Sequence, residues 1–95
     1  MTSDERLAIG ARLRDIRVQR GLTQEELSQN AGLSATHISR MEHGQGMSLD
    51  SVVALADALD VSLDYVIRGI RPQMGAWGLL FRSDEDLDNH PAAQQ

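Results

Sequence analysis

Arg40 closes a row of small and polar residues, Ala35, Thr36, His37 and Ser39, inside residues 23–44, which read TQEELSQNAGLSATHISRMEHG. These side chains can read the edges of base pairs. An arginine fork bonds both acceptors of a guanine, and a threonine or alanine methyl packs on the methyl of a thymine. Such chemistry needs a helix that carries these groups on one flank and is free to enter a major groove. It also needs anchors on the phosphates. Gln24 and Ser34 each stand at a helix start, where free amide donors point outward and form a natural phosphate site.

The elements that must position these groups are legible around them. Thr23 precedes a helical pattern and has Glu26 three residues on, a capping box in which hydroxyl and carboxylate satisfy orphan amides. Glu25 and Glu26 place negative charge in the first turn, where it suits the helix dipole. Leu27 and Ala31 share a face. Gly32 follows at once and can take left-handed backbone angles cheaply, so it ends one helix and redirects the chain. Ser34 caps the next helix, with Ile38 and Met41 on one side and residues 35, 36, 37, 39 and 40 mainly on the other. Gly44 ends it.

This stretch resembles the helix-turn-helix of the lambda repressor and Cro family, also called the XRE family of bacterial regulators. GLTQEELS, AGLS, ISRMEHG and the later ALADALDVSLDYVI carry the resemblance, which covers about residues 6–69. The spacing from Gln24 through Leu27, Gly32 and Ile38 to Glu42 is far more specific than a lone glycine or capping box. The resemblance implies that Ala35, Thr36 and Arg40 face base edges, with His37 and Ser39 flanking them. It implies that Gln24 and Ser34 contact the DNA backbone, setting register without reading sequence. It also implies that Arg17 pairs with Glu42, tying the first helix to the end of the third, while lying near phosphate. Arg14, Arg20 and His43 are further phosphate candidates, and Gln45 and Ser48 weaker ones. The plain alternative for each arginine is a solvated charge, for Gln24 a surface amide, and for His37 a contact to phosphate or water only. Two departures stand out. Ser28 occupies a place where the family usually has alanine, and its hydroxyl is expected to bond back to its own helix. The loop after the third helix lacks the lysine or arginine that many relatives carry there.

The wider pattern predicts an all-α fold of five helices. They run over 4–20, capped by Ser3 and stopped by Gly21; 24–31; 34–42; 49–59, capped by Ser48; and 63–68, capped by Ser62 and ended by Gly69. Ile9, Leu13 and Ile16 give the apolar spacing of the first. Leu49, Val52, Val53, Leu55, Ala56 and Leu59 point inward, or nearly so, on the fourth. Residues 1–69 form one DNA-binding domain, and residues 70–95 form a tail. In that tail AWGLLFR is an apolar segment that either packs on the first or fifth helix or forms an interface, and DEDLDNHPAAQQ is a solvated acidic end.

Charge and composition bound the function. The chain has 95 residues, no cysteine and a net charge of -5. No disulfide framework or thiolate metal site is available. Nothing resembles a signal peptide or a membrane span, so the expected location is the cytoplasm. All nine basic residues are arginine, and Arg12, Arg14, Arg17 and Arg20 crowd the first helix, predicting a local positive patch on an acidic background. Aromatic content is 3%, which argues against stacking of single strands. An enzyme finds little support. His37 and His43 are six apart, not the i, i+4 pair of a helical metal site, and no nucleophile elbow or phosphate loop is present. No cofactor and no metal is implied. The expected function is a sequence-specific regulator that binds double-stranded DNA, a repressor acting as a homodimer on an inverted repeat. The alternative is an interaction module or antitoxin-like regulator whose tail binds a partner protein.

Overall fold

The computed structural model describes residues 1–71, and these form five α-helices with no strand among the described residues. They are α1 (Ser3–Gln19), α2 (Gln24–Ala31), α3 (Ala35–Glu42), α4 (Leu49–Leu59) and α5 (Leu63–Arg68). The apolar tail segment and the acidic end assigned from sequence to residues 72–95 lie outside the described residues.

Each helix begins on a threonine or serine whose hydroxyl accepts from an amide three residues on. At α2 the Thr23 hydroxyl accepts from Glu26 N–H at 3.0 Å, and the Glu26 carboxylate accepts from Thr23 N–H at 2.9 Å. The first helix corrects the expectation. Its cap is Thr2, not Ser3, because only Thr2 has a glutamate three residues later to close the box, with Glu5 accepting from Thr2 N–H at 2.7 Å. Both glutamates are held below the ordinary carboxylate value, chiefly because the cap residue's backbone N–H stabilises the charged form. Gly32 and Gly69 end α2 and α5 in the left-handed region. Asp60 does the same for α4 at φ 55°, a role expected of no residue there. Aspartate is among the few non-glycine residues that tolerate it.

The core draws on every helix: Ile9, Leu13 and Ile16 from α1, Leu27 from α2, Ile38 and Met41 from α3, Val52, Leu55, Ala56 and Leu59 from α4, and Val66 from α5. Leu49 departs from the inward face expected of it and is 70% exposed. Ser51 is buried instead, and its hydroxyl completes a capping box with Ser48. Leu49 ends on the rim of a shallow apolar groove with Ile9, Met47, Val52 and Ile67. Gly10 lets α1 press on the end of α3: a Cβ there would collide with the backbone carbonyls of Met41 and Glu42. Among the described residues no helix is long and apolar enough to cross a membrane.

Candidate nucleic-acid interface

The elbow between α2 and α3 rests on backbone angles rather than space. Gly32 sits at φ 70°, ψ 24° and donates its N–H to the Ser28 carbonyl at 3.0 Å. Nothing lies within 4 Å of where its Cβ would stand, so the requirement for glycine is conformational. Ser28 itself bonds back to its own helix, its hydroxyl donating to the Glu25 carbonyl at 2.6 Å.

Beyond the elbow, α3 buries one side and shows the other. Ile38 and Met41 are fully buried, while Thr36 and Arg40 are exposed and Ala35, His37 and Ser39 half-buried. Ser34 caps the helix, accepting from His37 N–H at 3.0 Å. The first amides of α2 and α3 have no intrahelical acceptor and face outward from the two helix starts.

Glu42 locks this unit to the body. Its side chain is 2% exposed. Arg17 Nε donates to Oε2 at 2.7 Å and Arg17 Nη2 to Oε1 at 3.2 Å. Gln24 Nε2 adds a third bond to Oε1 at 3.0 Å. One carboxylate thus joins α1, α2 and α3. Arg17 also donates from Nη1 to the Leu22 carbonyl at 2.7 Å, which fixes the approach to α2. The Gln24 amide, expected to face phosphate, is therefore engaged with Glu42, leaving its backbone N–H at the helix start.

The arginines of α1 are not the patch the sequence suggested. Arg12 Nη1 donates to the Val66 and Ile67 carbonyls at 2.9 and 3.3 Å. Arg20, expected to face phosphate, donates from Nε to the Leu59 carbonyl at 2.6 Å and from Nη2 to the Asp60 carbonyl at 3.3 Å. These two clamp the ends of α5 and α4, where orphan carbonyls and the negative end of the helix dipole attract cations. Arg14 and Arg20 are both exposed, and with Arg17 held by Glu42, Arg14 is the one of the four whose side chain makes no hydrogen bond among the described residues. Arg40 provides exposed positive charge on α3.

The loop after α3 turns back on that helix. His37 Nε2 donates to the Gly46 carbonyl at 2.7 Å, and His43 Nδ1 to the Ser39 carbonyl at 2.8 Å. Both histidines were read from sequence as facing DNA, and their loop bonds had no sequence signal. Gln45 and Ser48 are exposed. Among the described residues no group of histidines and carboxylates is placed to hold a metal ion.

A helix-turn-helix family model matches residues 13–66, more than half of the chain. Among solved structures, the chain is similar to the high-resolution crystal structure of the restriction-modification controller protein C.AhdI from Aeromonas hydrophila. The match has a TM-score of 0.62 and 35% sequence identity, and covers 68% of this chain and 98% of that one.

Proposed function

Because this chain belongs to the helix-turn-helix family of lambda repressor, Cro and XRE type, we infer that it acts as a repressor, a homodimer seated on an inverted repeat. It is a sequence-specific DNA-binding regulator of transcription. The finer reading rests on one observation: Ile38 and Met41 hold α3 from behind while Thr36 and Arg40 stand clear of the body. Arg40, Thr36 and Ala35 contact base edges, with His37 and Ser39 beside them. The starts of α2 and α3, at Gln24 and Ser34, hold phosphates together with Arg14 and the His43 region. Two copies place their α3 helices about 34 Å apart, in successive major grooves on one face of the duplex. The relative's printed role, control of restriction-modification, is one setting in which a cytoplasmic repressor of this size would work. Dimerisation draws on apolar side chains left open near α5, among them Leu63 and Ile70, each 39% exposed.

Sedimentation with and without duplex tests the assembly. A dimer that binds an inverted repeat tightly, and a single half-site poorly, supports it. A monomer that binds one half-site as well as two overturns it.

A further inference from the structure

The loop of residues 43–48 is tied to α3 at two levels. The amides of His43 and Gln45 both donate to the Arg40 carbonyl, at 3.0 and 2.8 Å. Gly46, at φ 66°, then turns the chain so that its carbonyl meets the His37 ring at 2.7 Å. A carbonyl only accepts, so Nε2 carries the hydrogen. His37 lies one turn before Arg40 on the same flank of α3. A Cβ built at Gly46 would lie 3.5 and 3.6 Å from the imidazole atoms and 3.7 Å from Arg40 Cζ. The imidazole and the guanidinium therefore flank the same piece of backbone, both at ordinary van der Waals distance from position 46.

We propose that His37 is a positioning residue for Arg40: by holding the Gly46 carbonyl it fixes the loop beside the guanidinium, and so sets which base pair the arginine forks onto. A free arginine spreads over many rotamers and loses that freedom on binding. A wall on one side removes part of the spread in advance. The loop keeps this place without a charged side chain of its own, through the Arg40 carbonyl, the Gly46 carbonyl and the His43 ring on Ser39. The proposal rests on the reading that Arg40 contacts a base.

The test uses the full chain on a selected operator duplex and on duplexes altered at each base pair in turn. The proteins are wild type, His37→Gln, His37→Phe, Arg40→Ala and the double variant His37→Phe with Arg40→Ala. His37→Phe keeps a ring without an N–H, and should cut discrimination at the Arg40-dependent base pair about tenfold. His37→Gln keeps a donor and should restore most of it. In the Arg40→Ala background, His37→Phe should cost nothing further at that pair. Equal helicity and melting temperature in all five exclude a folding effect. Loss of discrimination at a different base pair, additive with Arg40→Ala, would overturn the proposal and make His37 itself a base reader. Full discrimination in His37→Phe would overturn it as well. If wild type and Arg40→Ala discriminate alike, the base-reading premise has failed, and that is visible before any His37 variant is made.

Discussion

Arg17 and Glu42 meet through two hydrogen bonds, Nε to Oε2 at 2.7 Å and Nη2 to Oε1 at 3.2 Å, across 25 residues of sequence. The carboxylate is almost wholly buried and also accepts from Gln24. This one carboxylate ties α3 to both α1 and α2. Removing either partner leaves the other buried and unpaired. Glu42→Ala should destabilise the fold by about 3–5 kcal/mol, and Arg17→Ala by a similar amount. Glu42→Gln should cost less, because its amide still accepts one bond. Urea unfolding of the three variants checks the order. Three near-neutral midpoints would mean the pair does not orient α3.

Two glycines are required for different reasons, one conformational and one steric. Gly32→Ala faces open space but a left-handed backbone, so it should cost about 1–2 kcal/mol. Gly10→Ala lies in a good helical conformation yet drives a methyl into the carbonyls of Met41 and Glu42. Backbone gives way poorly, so Gly10→Ala should be the more damaging of the two. Thermal melts of both decide it, and the reverse order would contradict the close approach of α1 to α3.

The caps make helix stability pH-dependent. Glu5 and Glu26 are held below their ordinary value of 4.5 by the amides of Thr2 and Thr23. A carboxylate lowered in the folded state stabilises it fully above the unfolded value, and that contribution is lost as pH falls through the lowered folded value. The urea midpoint should therefore fall on going from pH 7 to below the ordinary glutamate range. Replacing Glu5 and Glu26 with Gln should flatten part of that dependence, since glutamine closes the same box without titrating. An unchanged pH profile in the double variant would remove the two glutamates from it.

Much of the fold was legible because its signals are local. Thr23 with Glu26, Gly32 after Ala31, and Ser34 before Ile38 lie within a few residues of what they specify. Even the Thr2 cap had its signal in Glu5, masked by Ser3 next to it. The arginines of α1 were not legible, for a physical reason. Arg12 and Arg20 bond backbone carbonyls 54 and 39 residues away, and a carbonyl has no residue type to announce it. A row of arginines thus looked like a charged surface while two of its members were sealing helix ends. Asp60 was missed because a left-handed aspartate carries a much weaker signal than glycine. The outward flank of α3 was legible from its periodicity, but the bond from His37 to Gly46 was not.

Two of those arginines bond carbonyls at helix ends and a third bonds Glu42, so few should be left for phosphate. Affinity should fall with salt along a shallow slope. Arg14→Ala should weaken binding evenly across sequences and reduce the slope by about one. Fluorescence anisotropy across a salt series measures both. A sequence-dependent loss would move Arg14 from phosphate to base contact.

Selection of bound sites from random duplex DNA, run in parallel with wild type and Arg40→Ala, tests most directly whether the outward flank of α3 reads bases. Wild type should return an inverted repeat. Arg40→Ala should lose about 1–3 kcal/mol of preference at one base pair in each half-site, while keeping its weak binding to unrelated duplex. Identical sequence preferences from the two proteins would contradict it.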